Sequence, residues 1–197
     1  TQASRHRLKL PGFFTTVKVR AVFKSGRSNA IGVVRHIPLL PTSLIFRNDV
    51  KIYTKTSRGT QLKTDNFYSL MMHELGHVSH ALKSPANSIL SLGIVNESFA
   101  TAVEYYFTLP YYPNDVDHLI DQSRTEIEDG SSDSWKYTPF FIDMIDNTNQ
   151  RTRNSNSTDY ANDNVSGYTL EQIQKALDRR TTIRGVCKYL QDNYSNS

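Results

Sequence analysis

Hydrophobic and polar residues alternate in stretches of the N-terminal third of the chain. Residues 13–23 place Val17, Val19 and Ala21 on one side and polar side chains between them. Residues 30–34 are apolar and follow a turn signal at residues 25–29, and residues 49–54 alternate again. Because successive side chains on a strand point to opposite faces, these stretches predict half-buried strands. We expect the first two to form a hairpin, followed by an extended connection at residues 37–41.

From residue 64 onward the apolar positions recur at three- and four-residue steps instead. This spacing predicts a helix over residues 64–82, with Thr64 or Asp65 as its N-cap and Pro85 as its stop. A second helix is predicted from about residue 91 to Leu109-Pro110. The two helices are separated by a short loop, so we expect them to pack as neighbours.

The C-terminal half contains shorter helical patterns. Residues 116–127 and 138–145 read as helices, the second with Pro139 in its first turn. Residues 147–167 are rich in Asn, Ser, Thr, Asp and Arg without an apolar period, which predicts a long surface loop. Two closing helices follow, over residues 169–178 and 181–193.

These elements predict an α+β protein with a small, mainly antiparallel N-terminal sheet and a mainly helical C-terminal part. A chain of 197 residues is long enough for one sizeable core, so we expect a single domain over residues 1–197. Its parts are a β-rich region (1–63), a helical region (64–146), a loop (147–168) and C-terminal helices (169–197). The strand at 49–54 comes just before the first helix, and we expect it to be an edge strand beside a cleft. It either binds an extended substrate through its free backbone groups or is a simple surface strand.

Composition and charge exclude several classes of function. Hydrophobic residues make up 38% of the chain and no apolar run approaches the roughly 20 residues of a membrane helix, so no transmembrane segment is expected. The net charge of +4 comes from scattered basic residues without interleaved aromatics, which argues against nucleic-acid binding. The single cysteine, Cys187, lies at helical spacing with core residues and cannot form an internal disulfide. Any metal site is therefore built from histidine and carboxylate.

The chemistry-bearing segment is His73-Glu74-Leu-Gly-His77, an H-E-x-x-H pattern on the first predicted helix. Positions i and i+4 lie on one helix face, so the imidazoles of His73 and His77 can bind one metal ion. Glu74 leaves the same turn at another angle, where it can act on a water beside the metal. The pattern predicts two ligands and a general base.

A catalytic zinc ion usually has three protein ligands, so a further ligand is expected. Glu97 lies near the start of the second helix, and an antiparallel return of that helix would bring it beside the histidines. It can equally be a helix-start carboxylate favoured by the macrodipole. His80 is the competing ligand, but it lies about 10 Å along the helix axis from His73 at ~1.5 Å per residue. We therefore expect His80 to lie beside the ligands without binding the metal, or at the surface.

The two segments His73-Glu-Leu-Gly-His77 and Asn96-Glu97-Ser-Phe-Ala100 together resemble the gluzincin metallopeptidases, the clan of thermolysin-like and aminopeptidase-like enzymes. The resemblance covers about residues 49–108 and is specific only in these two motifs. It implies a zincin-like fold core, one zinc ion per chain and Glu97 as the third ligand.

Two further roles stay open. Glu104 is placed to accept the free ring N–H of a ligand histidine, or it is a solvated carboxylate. Gluzincins generally use a downstream tyrosine or histidine to stabilise the oxyanion, and no motif here selects one. The candidates are Tyr105, Tyr106, Tyr111, Tyr112, His118 and Tyr137.

The expected function is zinc-dependent peptide-bond hydrolysis with Glu74 as general base, acting on a peptide or protein substrate. The alternative is a zincin-like binding or cell-surface module in which zinc is structural and catalysis is weak or absent. The start at Thr1, the scarcity of cysteine and the abundance of Asn, Ser, Thr and Tyr favour an extracytoplasmic protein. Substrate preference and oligomeric state do not follow from the sequence.

Overall fold

The computed structural model describes residues 17–25, 29–36, 44–56, 58–91, 93–116, 119, 139–158, 160 and 162–194. Several predictions fall wholly or largely outside these residues. They are the first strand residues 13–16, the turn at 25–29, the connection at 37–41, the helix at 116–127 and the oxyanion candidates His118 and Tyr137.

Three strands form one mixed sheet. They are β1 (Val17–Ser25), β2 (Asn29–His36) and β3 (Leu44–Lys55), in the spatial order β1-β3-β2. β1 pairs with β3 in parallel and β2 pairs with β3 antiparallel. The predicted hairpin and the mainly antiparallel sheet are therefore wrong, because β3 lies between β1 and β2. Alternation indicates that a stretch is a strand, but it does not indicate which strands pair.

β3 is the central strand of this sheet, so the prediction of an edge strand is wrong for residues 49–51, which pair with both β1 and β2; beyond Lys51 the described pairing is with β1 and not with β2. Val50 and Ile52 are fully buried and pack with Val78 of the helix that follows. A strand with paired neighbours on both sides has no free backbone edge along that length for an extended substrate. Among the described strands, β1 and β2 are the two edge strands.

The helices follow the sheet in the chain. They are α1 (Thr64–Lys83), α2 (Pro85–Leu90), α3 (Gly93–Thr108), a 3₁₀ turn (Pro113–Asp115), α4 (Phe140–Asp143), α5 (Gln150–Arg153), α6 (Leu170–Leu177) and α7 (Ile183–Asn193). The mixed α+β class is confirmed. None of the helices in the described part of the chain is long and apolar enough to cross a membrane.

The ends of the helices differ in detail from the predictions. Lys63, not Thr64 or Asp65, is the N-cap of α1, and no side chain caps that end. Asp65 instead lies in the first turn, where a carboxylate stabilises the helix dipole. The predicted short loop between the two long helices contains the six-residue helix α2, which begins at Pro85.

The main hydrophobic core lies between α3, α4, α6 and α7. Phe99, Phe141, Ile173 and Leu190 are fully buried in it. Cys187 is half-buried and packs against this core, as predicted. One face of α3 thus packs against the C-terminal helices, and its other face packs against α1.

The prediction of a surface loop over residues 147–167 is only partly right. α5 lies within it, and Gln150 is 1% exposed. The two closing helices were predicted correctly in place, with Thr169 capping α6 through a capping box with Gln172, and Thr182 capping α7.

Candidate metal centre

The close crossing of α1 and α3 sets the geometry of the site. It depends on Gly76 in the middle of α1, since an added Cβ there would lie 2.8 Å from the Cα atom of Ala100 and 3.2 Å from the Cβ atom of Val103. Only glycine allows this approach without displacing the backbone of α3. The approach brings Glu97, in the first half of α3, beside the histidines of α1.

The start of α3 is held by a side chain next to Glu97. The Asn96 Nδ2 atom donates to the backbone carbonyl oxygens of Ser88 at 3.1 Å and Ser91 at 3.5 Å. These contacts tie α3 to the end of α2. The position of Glu97 is therefore fixed both by the crossing with α1 and by the preceding helix.

His73, His77 and Glu97 form a group that can hold a metal ion. One ligating atom from each lies within 4.8 Å of the other two, and this is the only such group of histidine, cysteine and acidic side chains found among the described residues. The His73 Nε2 atom is 3.1 Å from Glu97 Oε2, and His77 Nε2 is 3.5 Å from Glu97 Oε1. The two imidazole rings lie 5.0 Å apart between centroids.

These distances fit a tetrahedral metal ion. With metal–ligand bonds of about 2.0–2.2 Å, neighbouring ligand atoms at tetrahedral angles lie roughly 3.3 Å apart. The observed separations of 3.1 and 3.5 Å bracket that value. Two imidazole nitrogens and one carboxylate oxygen are also a donor set that suits zinc.

The second nitrogen of His73 is occupied by a buried carboxylate. His73 Nδ1 lies 3.0 Å from Glu104 Oε2, and the hydroxyl of Ser69 donates to Glu104 Oε1. His73, Glu104 and Ser69 are 8%, 5% and 4% exposed. Glu104 therefore contacts the histidine as a ligand-orienting carboxylate would, and it fixes the proton of His73 on Nδ1.

When no metal is bound, the histidines and carboxylates of the group shift one another's pKa values. Burial alone would lower the pKa of His73, but its hydrogen bonds to Glu104 and Glu97 raise that pKa to about 10. Burial likewise opposes ionisation of Glu97, yet hydrogen bonds to His73 and His77 lower its pKa to about 2. In the metal-free protein the protonated ring of His73 therefore lies between two carboxylates, and a metal ion would displace the proton on its Nε2 atom.

Glu74, the proposed base, is buried on the same turn of α1. The whole residue is 6% exposed, and the side chains of His77 and Glu97 are 24% and 17% exposed. The more open side of the group is therefore the side of His77 and Glu97.

His80 does not belong to the metal-binding group. It is 2% exposed, and its ring packs edge-on against Phe99 at 5.9 Å between centroids. Burial lowers its pKa to about 4, so it is neutral at physiological pH. The expectation of a surface position is wrong, because the helix face that carries His80 turns toward α3.

The tyrosine candidates for an oxyanion stabiliser lie in different surroundings. Tyr105 is 8% exposed and hydrogen-bonds Asp146. The rings of Tyr111 and Tyr112 pack on Tyr68, with centroids 5.8 and 5.5 Å away. These contacts do not select one of the three tyrosines as an oxyanion stabiliser, so this role is assigned to no residue.

The sequence did not indicate the roles of Ser69 and Gly76, or that the Asn96 side chain holds the start of α3. Ser69 precedes His73 by four residues, so it shares its helix face, but serine at that spacing gives no specific signal. Gly76 could have been noticed, since a glycine inside a helical pattern often marks close packing.

Comparisons with protein families, with curated proteins and with solved structures found no match to this chain. Several architectures can bring two histidines and a glutamate together. The likeness to gluzincins therefore depends on the two motifs and stays a prediction.

Proposed function

We propose that this chain is a zinc-dependent peptidase with a gluzincin-type site in a zincin-like core. The observation that carries the proposal is the group of His73, His77 and Glu97, whose ligating atoms lie within 4.8 Å of one another across two helices. The buried Glu74 on the same helix turn supports a catalytic role, since a purely structural metal site has no need of a further acid that is not a ligand.

His73, His77 and Glu97 are the residues that would hold the zinc ion. When bound, zinc supplies a Lewis acid that polarises a carbonyl group and lowers the pKa of a water toward 7. Glu104 and Ser69 keep the proton of His73 on Nδ1, so that its Nε2 lone pair is available as a ligand.

Glu74 would move the protons of the reaction. Its carboxylate accepts a proton from the attacking water and later donates it to the nitrogen of the leaving amine. Access of an extended peptide from the side of His77 and Glu97 agrees with the greater exposure of these two side chains.

The test is cleavage of a peptide library together with metal analysis. We expect about one zinc ion per chain and cleavage by the wild-type protein. Glu74→Gln should retain zinc but lose cleavage by roughly two to four orders of magnitude, because general-base catalysis contributes about that much. Lys188→Gln, an exposed change on α7, is the control. A metal-free, fully folded and inactive wild-type protein would refute the proposal.

The second candidate is a binding module with structural zinc. A peptidase needs an oxyanion stabiliser, whereas a binding module does not. The contacts of Tyr105 with Asp146, and of Tyr111 and Tyr112 with Tyr68, identify no such stabiliser and therefore favour this candidate. Stoichiometric zinc without cleavage of any peptide in the library would select this candidate over the peptidase.

A further inference from the structure

A second cluster of charged side chains lies where the segment before α6 returns beside α4. Asp143 is the last residue of α4, Asp146 follows it, and Asp163 belongs to the returning segment. A backbone hydrogen bond of 2.9 Å from Tyr168 N to Met144 O holds the two segments together. None of the three carboxylates belongs to the metal-binding group already described.

The backbone around Asp163 is held by side-chain contacts. The Asn149 Nδ2 atom donates to the carbonyl oxygen of Asp163 at 2.6 Å and to Asn162 Oδ1 at 2.8 Å. Asp163 Oδ1 accepts from the backbone N–H of Val165 at 3.0 Å. Asn149 is also the N-cap of α5, whose first residue is Gln150. The returning segment is thus tied to the start of α5 as well as to the end of α4.

The three carboxylates disfavour one another's ionisation. Burial raises the pKa of Asp143 to about 7, and the charges of Asp163 and Asp146 add to the effect. The pKa values of Asp146 and Asp163 are also raised, chiefly by burial. The charge of Arg153 lowers the pKa of Asp146 without outweighing the opposing effects. A cation among these carboxylates would therefore be bound favourably.

Two buried oxygen atoms at the cluster have no hydrogen-bond partner. Gln150 is 1% exposed, and its Nε2 atom donates to Asp143 Oδ1, so its amide group ends at the cluster. The Oε1 atom of the same amide has no partner. The Asp146 carboxylate accepts hydrogen bonds from Thr148 N and Tyr105, but its buried Oδ2 atom has none. Since a buried oxygen without a donor destabilises a fold, both atoms favour a bound cation.

The chemistry of these groups selects the kind of ion. Carboxylate and amide oxygens are ligands of hard cations. The carboxylate oxygens are spread more widely than the ligating atoms of the zinc group, which all lie within 4.8 Å of one another. Ca²⁺ takes roughly six to eight oxygens at about 2.3–2.6 Å in flexible geometry, whereas Mg²⁺ demands a near-ideal octahedron at about 2.0–2.1 Å. The wider spread favours calcium.

We propose that this cluster binds one calcium ion. Its protein ligands are the carboxylates of Asp143, Asp146 and Asp163 and the Oε1 atom of Gln150, with water completing the shell and joining the outermost carboxylate to the ion. The ion would link α4, α5 and the segment before α6. A buried water molecule would satisfy the two oxygens but would not balance the three negative charges. The calcium site is independent of the proposed peptidase activity.

The experiment is isothermal titration calorimetry of calcium chloride into the wild-type protein. The protein is first saturated with zinc, so that calcium does not enter the group of His73, His77 and Glu97. A buffer of about pH 8 keeps Asp143 ionised, because this pH lies above its raised pKa. We expect about one calcium ion per chain, with a dissociation constant of about 10⁻⁴–10⁻³ M, as in extracellular calcium modules.

Removal of one charge at the cluster gives the matched test. Asp146→Asn and Asp163→Asn should each weaken calcium binding about tenfold or more, because calcium affinity follows the number of charged ligands. Without calcium, Asp163→Asn should melt at the same temperature as the wild type or higher, since repulsion is reduced. This second measurement separates lost binding from unfolding. The exposed Asp192→Asn on α7 removes the same charge and should leave calcium affinity unchanged.

Thermal unfolding separates the calcium site from the zinc site. At a calcium concentration of ten times the dissociation constant, the wild type should gain about 3 °C or more in melting temperature. Glu97→Ala should lose the response to zinc and keep the response to calcium. Failure of the zinc proposal and failure of the calcium proposal therefore give different results.

Three results would overturn the calcium site. They are the absence of calcium binding by the wild-type protein, equal calcium affinity of the wild type and Asp163→Asn, and equal stabilisation by calcium chloride and by magnesium chloride at the same concentration. The last result would identify general screening of the carboxylates or a magnesium site.

Discussion

His73 is the most constrained side chain of the candidate site. Its Nε2 atom lies 3.1 Å from Glu97 and its Nδ1 atom 3.0 Å from Glu104. Both ring nitrogens thus have fixed partners before any metal binds. The orientation of this imidazole depends on the carboxylate of Glu104, which in turn depends on the hydroxyl of Ser69.

We therefore predict that Ser69→Ala weakens zinc binding about tenfold, the lower end of the range for residues that orient a metal ligand. Without the hydroxyl, one oxygen of the buried Glu104 loses its donor and the carboxylate can rotate away from His73. Competition with a chromophoric chelator measures the affinity, and Thr64→Ala on the exposed first turn of α1 is the control. Equal affinities for the wild type and Ser69→Ala would contradict this role for Ser69.

His80 gives the converse prediction. His80→Ala should keep zinc stoichiometry, because His80 lies outside the metal-binding group. It should lower the free energy of unfolding by about 1–3 kcal/mol, since a buried ring that packs on Phe99 is replaced by a cavity. Metal analysis and urea denaturation test the two parts, with His77→Ala as the comparison that loses zinc. Loss of zinc from His80→Ala would reverse the ligand assignment.

Some residues of the site could be predicted from the sequence alone, and others could not. His73, Glu74 and His77 follow from the period of one helix, so their grouping needs no tertiary information. Glu97 required the resemblance to gluzincins, because spacing alone also allowed a helix-start carboxylate. The contact between Ser69 and Glu104 joins residues 35 positions apart, and it exists only because α1 and α3 cross where they do.

At the scale of elements, the crossing of α1 and α3 is the feature on which the site depends. α1 supplies two candidate ligands and Glu74, and α3 supplies Glu97 and Glu104. The crossing is close because Gly76 has no Cβ atom to meet Ala100. A shift of about 1 Å between the helices would spoil the ligand distances, since metal sites tolerate only a few tenths of an ångström.

Gly76→Ala should therefore affect both stability and metal binding. The new Cβ atom would lie 2.8 Å from a backbone atom of Ala100, so the helices must separate. We expect a loss of about 1–3 kcal/mol in the free energy of unfolding, typical of overpacking. Zinc affinity should fall in parallel, as measured by urea denaturation of the metal-free protein and by chelator competition. Thr64→Ala is again the control, and an unchanged zinc affinity would mean that the crossing is not what places Glu97.

The elements themselves were predicted better than their arrangement. The strands β1, β2 and β3 and the helices α1, α3, α6 and α7 lie where the periodicity placed them. The sheet order was wrong because pairing is decided by contacts between distant residues. α2 was missed because six residues beginning at a proline read as a helix stop, although proline is also common in a first helical turn.

At the scale of the whole molecule, two apolar clusters meet at α1 and α3. One lies between the sheet and α1, and the larger one lies between α3 and the C-terminal helices. Buried hydrogen bonds add to this connection, for example from Gln174 of α6 to Ser79 of α1 at 2.6 Å. A metal ion held by both helices would strengthen the same joint.

Removal of zinc should therefore destabilise the whole protein. At a free zinc concentration of one hundred times the dissociation constant, binding contributes about 2.7 kcal/mol to the free energy of unfolding. Thermal unfolding with zinc and with excess chelator measures the difference. Glu97→Ala should show a much smaller difference, because one of the three ligands is absent. An equal response of wild type and Glu97→Ala to chelator would argue against Glu97 as a ligand.

A second determinant of global stability lies away from the metal. Asp143 ends α4 and accepts a hydrogen bond from Gln150 at the start of α5. Burial raises the pKa of Asp143 from 3.8 to about 7, and the nearby charge of Asp163 adds to the effect. Between these two values the folded protein holds a proton that the unfolded chain has released. The free energy of unfolding should therefore fall as the pH rises from about 4 to 7, and level off above 7.

The variant Asp143→Asn isolates this effect. Asparagine keeps an oxygen that can accept from Gln150 but cannot ionise, so the variant should lose this part of the pH dependence. Between pH 4 and 7 the wild type should lose unfolding free energy that the variant keeps. The loss is at most about 4 kcal/mol, since each unit of pKa shift corresponds to 1.36 kcal/mol. Urea denaturation at each pH measures it, with the exposed Asp192→Asn as control. A pH-independent difference would mean that Asp143 ionises normally, because only a shifted pKa couples its proton to folding.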